Sequence, residues 1–282
     1  MEKRKVEVVV ISDVHLGTFG CRAKELYRYL KSIQPEILVL NGDIIDIWQF
    51  RKRYFPKYHL KVIKQIFSLA SKGSRIYYLT GNHDEMLRKF TDLSFGNITL
   101  ADKLVLKLGS KKIWFFHGDI FDASIHNAKW IAKLGGWGYD LLILMNSVSN
   151  WLLEKMGRER YSFSKKIKQS VKKAVKFIGD FEETASHLAM ENDYDYVACG
   201  HIHQPQMRTV EKNGKSCIYM NSGDWIENLT SLEYHHNKWS LFQYQEEDFV
   251  KLADEDDDLS ELNLNELIRK VTFDYNSLEK TA

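Results

Sequence analysis

The chain has 282 residues, 44% of them apolar and 28% charged, a composition typical of a globular protein with one large domain or a domain plus an insertion. Its net charge of +2 is too small to indicate wholesale nucleic-acid binding. Three cysteines without metal-site spacing, Cys21, Cys199 and Cys217, predict free thiols in a reducing compartment. The sequence shows no signal-peptide pattern and no apolar run of about 18 residues, so we expect a cytoplasmic protein without a membrane span.

The amino-terminal part predicts strands that alternate with helices. Short β-branched runs predict buried strands at residues 6–11, 37–40 and 76–79. Helical spacing predicts helices at 23–33, before Pro35, and at 60–70. Residues 104–108 and 113–116 flank a Gly109-Ser110 turn and predict a hairpin.

The pattern changes in the second half of the chain. Residues 124–188 have helical spacing, and strands are expected again at 196–199, 206–210, 217–220, 232–234 and 239–244. Asn213-Gly214 predicts a hairpin turn between 206–210 and 217–220. These patterns predict an α/β layered domain with a mixed sheet, made of residues 1–123 and 189–245 and interrupted by a helical insertion at 124–188. Residues 246–282 are expected to form an acidic tail, with a solvated linker at 246–258 and a short amphipathic helix at 259–271.

Short polar clusters follow nearly every predicted strand, where loops can gather distant residues into one site. These clusters are Asp13-Val14-His15, Gly42-Asp43, Gly81-Asn82-His83-Asp84, His117-Gly118-Asp119, Gly200-His201-Ile202-His203 and Asn221-Ser222-Gly223-Asp224. Each cluster alone is ordinary turn or cap chemistry. Together they supply the carboxylate, imidazole and amide groups that suit a pair of divalent metals.

The order of these clusters resembles that of the calcineurin-like metallophosphoesterases over about residues 6–122 and 194–235. The resemblance implies a four-layer αββα sandwich with mixed sheets, in which the helical insertion forms a cap. It implies that one metal is held by Asp13, His15, Asp43 and His203 and a second by Asp43, Asn82, His117 and His201, with Asp43 as the bridge. Two such metals clamp a phosphoryl oxygen and generate a hydroxide that attacks phosphorus. The ligand set suits manganese, iron or zinc, and the resemblance favours manganese.

The third cluster supplies the expected catalytic helper. In similar enzymes the position of His83 faces the phosphate, as a proton donor or a stabiliser of the leaving oxygen. We expect Asp84 to orient His83, since a carboxylate on one ring nitrogen fixes the tautomer. The alternative is that His83 only supports the ligands. Asp46 is expected to be a structural hydrogen-bond acceptor.

Several longer motifs narrow the substrate. Ser12-Asp13-Val14-His15-Leu16-Gly17, Gly200-His201-Ile202-His203-Gln204-Pro205 and Gly223-Asp224-Trp225 resemble the UDP-2,3-diacylglucosamine diphosphatase family of lipid A biosynthesis. The resemblance implies hydrolysis of the substrate's pyrophosphate bond to UMP and 2,3-diacylglucosamine 1-phosphate. The chain departs from the best-known branch of that family at His83, where the branch has arginine.

The insertion fits a lipid-linked substrate, because residues 127–156 are rich in Trp and Leu and residues 155–176 are strongly basic. We expect a trough for acyl chains and peripheral association with the inner face of the cytoplasmic membrane. The residues expected to contact substrate are Asn82, Asp122, Arg158, Arg160, Lys165, Lys168 and Trp225. The alternative is that the apolar residues pack the cap onto the sheet and the lysines form its solvated face.

Two other functions remain open. One is a phosphodiesterase or phosphatase acting on another nucleotide or on nucleic acid, which would be expected to carry a long basic groove studded with aromatic residues. The confinement of the basic cluster to the insertion favours a lipid instead. The other is a non-catalytic scaffold, which should have lost ligands, whereas all the expected ligand positions are filled here.

Overall fold

The computed structural model describes residues 3–47, 55–121 and 163–252, with side-chain surroundings for all of these except 163–174 and 250–252. Its α-helices are α1 (Ala23–Ser32), α2 (Lys57–Ser71) and α3 (Phe163–Glu191). Short 3-10 helices span Glu85–Phe90, Asp119–Phe121 and Glu246–Leu252. Among the described residues, none of the helices has the length and apolar character needed to cross a membrane.

The first sheet has seven strands and is parallel at its centre. Its strands are β1 (Arg4–Ile11), β2 (Ile33–Asn41), β3 (Arg75–Leu79), β4 (Ser94–Phe95), β5 (Ile98–Ala101), β11 (Thr230–His235) and β12 (Lys238–Gln243). They lie in the order β12-β11-β1-β2-β3-β5-β4. Strands β1, β2, β3 and β5 are mutually parallel, while β4, β11 and β12 pair antiparallel at the two edges.

The second sheet has five strands and is also mixed. Its strands are β6 (Lys103–Leu108), β7 (Lys111–Phe116), β8 (Tyr196–Cys199), β9 (Gln206–Lys212) and β10 (Lys215–Asn221), in the order β6-β7-β8-β10-β9. Strands β7, β8 and β10 are parallel, and the two hairpins predicted around Gly109-Ser110 and Asn213-Gly214 form the antiparallel edges. These two hairpin predictions are confirmed.

The two sheets pack face to face, with helices on both outer faces. In β1, Val8 and Val10 point into the apolar layer between the sheets, while Val9 and Ile11 point toward α1 and α2. Burial on both faces explains why β1 is a continuous apolar run rather than an alternating one. On the far side, α3 packs Phe181 against the second sheet. The αββα sandwich implied by the resemblance is confirmed.

Within residues 3–47, 55–121 and 163–252 the predicted strands and helices are present, and the differences lie at short or atypical segments. Strand β2 begins at Ile33, directly after α1, and so contains Pro35, which the prediction had placed outside it. A proline is tolerated near the start of a strand, where one missing N–H costs little pairing. Strands β4 and β5 were not predicted, because runs of two and four residues carry too little periodicity.

The acidic segment after β12 differs from the expected solvated linker over its first seven residues. Residues Glu246–Leu252 form a 3-10 helix whose Phe249 is buried and stacks on Tyr244, with ring centroids 4.5 Å apart. Glu246 pairs with the Arg28 guanidinium of α1. This segment therefore closes one edge of the core, and the helix expected at 259–271 lies outside the described residues.

Candidate metal centre

The polar clusters meet because they follow strands that run in the same direction. Strands β1, β2 and β3 are parallel in the first sheet, and β7 and β8 are parallel in the second. Their carboxyl ends lie along one edge of the sandwich, and the residues just beyond these ends are the ones expected to bind metal. The loops hold Asp13 and His15, Asp43, Asn82, His117, and His201 and His203.

Several residues of these loops have a backbone conformation that residues other than glycine rarely adopt. Five of the expected ligands have positive φ angles, namely Asp13 (52°), His15 (53°), Asp43 (54°), His201 (65°) and His203 (57°). Each such residue costs about 1–3 kcal/mol, and strain of this kind clusters at functional sites. Its concentration on these residues marks the loops as a site and not as ordinary turns.

Asp43 lies at the centre of the cluster. Its Oδ2 is 3.3 Å from His117 Nε2 and 3.9 Å from His15 Nε2. Asp13 Oδ1 is 3.2 Å from His203 Nε2. Three overlapping groups have ligand atoms within 4.8 Å of one another, namely Asp13, His15 and His203; Asp13, Asp43 and His117; and His15, Asp43 and His83. Asp13, His15 and Asp43 each belong to two of these groups, so these three side chains form the middle of the arrangement.

The side chains fit a bound cation, as shown by two buried ring nitrogens that face a carboxylate without a hydrogen bond. His15 Nε2 and His117 Nε2 are buried and make no hydrogen bond among the described residues, and both face the Asp43 carboxylate. A buried ring nitrogen without a partner is costly unless a ligand completes it. Imidazole nitrogens beside carboxylate oxygens match a borderline divalent metal.

The pKa shifts within the cluster also indicate a cation site. Burial lowers the pKa of His117, but the Asp43 and Asp13 carboxylates outweigh burial and raise this pKa to about 10. Burial alone would raise the pKa of Asp43, yet the neighbouring His117 and His15 imidazoles hold it well below its usual range. A proton on His117 therefore balances the buried carboxylates, and a bound cation would replace it.

The remaining ring nitrogens of the expected ligands are held by the surrounding protein. His117 Nδ1 lies 2.9 Å from the Asn41 carbonyl oxygen. His201 Nδ1 lies 3.1 Å from Asn82 Oδ1, so this contact joins two expected ligands of the second metal. Contacts of this type fix the tautomer and orientation of a metal-binding histidine. The contribution of Asn41 was not predicted, because a backbone carbonyl carries no residue-specific signal.

Asp46, and not Asp84, is the carboxylate that orients His83. Asp46 Oδ2 is 2.9 Å from His83 Nδ1 and 3.5 Å from His15 Nδ1. The expected role of Asp84 is wrong, because its carboxylate instead accepts hydrogen bonds from the Gly81 and Ile44 backbone amides and the Tyr78 hydroxyl. Asp84 therefore supports the loop, while Asp46 is shared between His83 and a proposed metal ligand.

Trp225 does not line the site, which corrects another expectation. Its side chain is fully buried and packs against Tyr29, with ring centroids 5.3 Å apart. The tryptophan belongs to the apolar core beside the site, and its backbone amide donates a hydrogen bond to the Asp13 carbonyl oxygen. Among the other expected substrate contacts, Asn82 lies in the cluster. The side chains of Asp122, Arg158, Arg160, Lys165 and Lys168 lie outside the described ones.

Comparison with known proteins agrees with this geometry. The family described as Calcineurin-like phosphoesterase matches residues 6–205. A UDP-2,3-diacylglucosamine hydrolase of Aliivibrio fischeri is 23% identical over 247 residues, which cover 83% of this chain and 97% of the relative. A UDP-2,3-diacylglucosamine hydrolase of Blochmanniella pennsylvanica is 25% identical over 75% of this chain and 84% of the relative.

Among solved structures, a phosphoesterase from E. coli covers 83% of this chain and 90% of its own, with 15% identity and a TM-score of 0.41. The family match includes the first five polar clusters, most of β1 and all of β2 to β8. The chain belongs to the calcineurin-like phosphoesterase family and is a metal-dependent hydrolase.

Proposed function

We propose that this hydrolase cleaves the pyrophosphate bond of UDP-2,3-diacylglucosamine, releasing UMP and 2,3-diacylglucosamine 1-phosphate in lipid A biosynthesis. The observation that carries the proposal is that relatives bearing this activity in their names align with most of this chain and with most of their own length. Convergence of Asp13, His15 and His117 on Asp43 supports the hydrolytic part of the proposal independently.

The proposed cofactor is a pair of manganese ions. Asp13, His15, Asp43 and His203 would hold one, and Asp43, Asn82, His117 and His201 would hold the other. Divalent cations at these positions supply Lewis-acid activation of the phosphoryl oxygens and a water of lowered pKa. The chain orients the proposed metal ligands through contacts such as that between His117 and the Asn41 carbonyl oxygen.

His83 is the proposed proton donor to the leaving oxygen. Its ring packs edge-on against His15, with centroids 4.6 Å apart, and its side chain is 30% exposed. The hydrogen bond with Asp46 raises the pKa of His83, which keeps the ring protonated to higher pH. Because Asp46 holds Nδ1, Nε2 is the nitrogen that would meet a substrate oxygen.

The contact between Asp46 and His83 predicts how the pH dependence of turnover changes when Asp46 is replaced. Replacing the carboxylate in Asp46→Asn should lower the pKa of His83, so the alkaline limb of the kcat profile should move to lower pH. A general acid contributes about 10²–10⁴-fold, so kcat should fall steeply above this limb. The profile should be recorded at saturating manganese, because Asp46 also lies close to His15.

Asp84→Asn is the matched control for this experiment, because Asp84 is equally buried but faces the loop amides and Tyr78. The Asp84→Asn variant should leave the alkaline limb of the kcat profile at the same pH as in the unaltered protein. A limb that moves with Asp84→Asn and stays in place with Asp46→Asn would contradict the assignment.

The inserted segment is the proposed recognition element for the lipid and the membrane. Asp122, Arg158, Arg160, Lys165 and Lys168 are proposed to contact the substrate together with Asn82. The composition of residues 127–176 supports a trough for acyl chains and peripheral contact with the inner face of the cytoplasmic membrane. Helix α3 carries the end of this segment onto the second sheet, where Phe181 is buried beside His201.

The substrate is tested by incubating the purified chain and manganese with UDP-2,3-diacylglucosamine, with cyclic nucleotides and with DNA in parallel. We expect UMP release from the lipid and no comparable turnover of the other two. Hydrolysis of DNA or cyclic nucleotides without UMP release from the lipid would overturn the proposed substrate and leave the metal site intact.

A further inference from the structure

We propose that Asp224, together with Asn228, is a positioning residue that fixes His203 in its metal-binding orientation. This inference rests on the metal site of the proposed function and is independent of its substrate. Asp224 ends the polar cluster that follows β10. Its side chain is almost completely buried beside His203.

The Asp224 carboxylate is itself rigidly held. Its Oδ1 accepts hydrogen bonds from the backbone amides of Ile226 (2.8 Å), Glu227 (2.7 Å) and Asn228 (3.0 Å). Its Oδ2 accepts from Asn228 Nδ2 at 2.7 Å and lies 3.4 Å from His203 Nδ1. One oxygen therefore anchors the carboxylate to its own turn, and the other is presented to the histidine ring.

Asn228 completes the arrangement by holding the His203 backbone. Its Nδ2 donates to the His203 carbonyl oxygen at 2.8 Å as well as to Asp224. His203 has a φ of 57°, a conformation that needs support from its surroundings. The ring is thereby aimed so that Nε2 lies 3.2 Å from Asp13 Oδ1, among the expected ligands of the first metal.

His203 depends on these polar contacts because packing encloses it incompletely. Its side chain is 35% exposed, whereas that of His117 is fully buried. A buried ring is held by its neighbours on every side, but a ring open to solvent can rotate unless a hydrogen-bonding partner stops it. A carboxylate facing the second nitrogen of a metal-binding histidine both orients the ring and strengthens it as a ligand.

The test is a manganese titration of the full-length Asp224→Asn variant by isothermal titration calorimetry, without substrate. Loss of such a partner typically weakens metal binding by about 10–100-fold. We expect this loss in only one of two manganese-binding steps, the one that depends on His203. The asparagine keeps an oxygen for the three backbone amides, but its NH2 group faces the donors on His203 and Asn228.

Two further variants separate positioning from folding. Asn228→Ala leaves the Asp224 carboxylate in place and should weaken the same manganese step to a lesser degree. Asp193→Asn changes an exposed aspartate that pairs with Lys215 at the far end of β10, and both manganese steps should stay unchanged. Thermal unfolding of each metal-free variant checks that the protein is folded.

Manganese affinities that match the unaltered protein in both folded Asp224→Asn and folded Asn228→Ala would overturn the inference. Equal weakening of both manganese steps would also overturn it, because that pattern indicates general damage to the loops. If the unaltered chain binds no manganese, the proposed metal site itself fails, and this outcome is distinguishable from the other two.

Discussion

Asp43→Asn is expected to abolish binding of both metals and to lower turnover by roughly 10³-fold or more, since metal ions supply several kcal/mol of transition-state stabilisation. The reason is that one carboxylate faces both halves of the site, with Oδ2 near His117 and His15 and Oδ1 accepting a hydrogen bond from the His83 amide. Asparagine fits the same backbone, because it tolerates the positive φ found at Asp43. Elemental analysis and UMP release measure the two effects.

Asp92→Asn is the matched control. Asp92 also has a positive φ, of 71°, but it is exposed and lies outside the metal loops. This variant should keep full metal content and activity. An Asp43→Asn protein that retains two metals per chain would show that Asp43 is not the bridge.

Gly81→Ala is expected to disrupt the metal site without adding a charge. A Cβ at this position would overlap Asp43 Oδ1 and would lie 2.6 Å from the Asp43 backbone nitrogen. Overpacking of this kind costs about 1–3 kcal/mol of the free energy of unfolding. Because the atoms that must move belong to the central carboxylate, a displacement of this size would lower turnover by about 10²-fold. Chemical denaturation and UMP release measure the two losses.

Gly179→Ala makes the same substitution where there is room for it. This glycine lies in α3, and a Cβ there would meet nothing within 4 Å. Alanine stabilises a helix interior by about 1 kcal/mol relative to glycine, so this variant should be as stable as the unaltered chain or more stable. Equal stability and activity of the Gly81→Ala and Gly179→Ala proteins would contradict the close approach between Gly81 and Asp43.

The sequence predicts the architecture well because the strands of the parallel core are buried on both faces. The apolar runs at 6–11 and 76–79 predict buried strands, and the structure places β1 and β3 there. The clusters that follow such runs must meet, because parallel strands bring their carboxyl ends to one edge. This geometry explains why the clusters were expected to form one site, while the assignment of individual ligands came from the resemblance to the calcineurin-like metallophosphoesterases.

The surroundings of the ligands were harder to predict, because they depend on distances between loops. Asp84 is adjacent to His83 in sequence, yet the loop turns its carboxylate toward Gly81 and Tyr78, while Asp46 reaches His83 from another loop. Trp225 follows a polar cluster, but its ring turns into the core. Proximity along the chain was therefore a poor guide to proximity in the site.

The location and number of the metals are tested most directly by a crystal structure of the manganese-loaded protein, with diffraction data collected at the manganese absorption edge. We predict two anomalous peaks, one among Asp13, His15, Asp43 and His203 and the other among Asp43, Asn82, His117 and His201, so that both lie beside Asp43. A single peak, or two peaks that do not share Asp43, would contradict the dinuclear site.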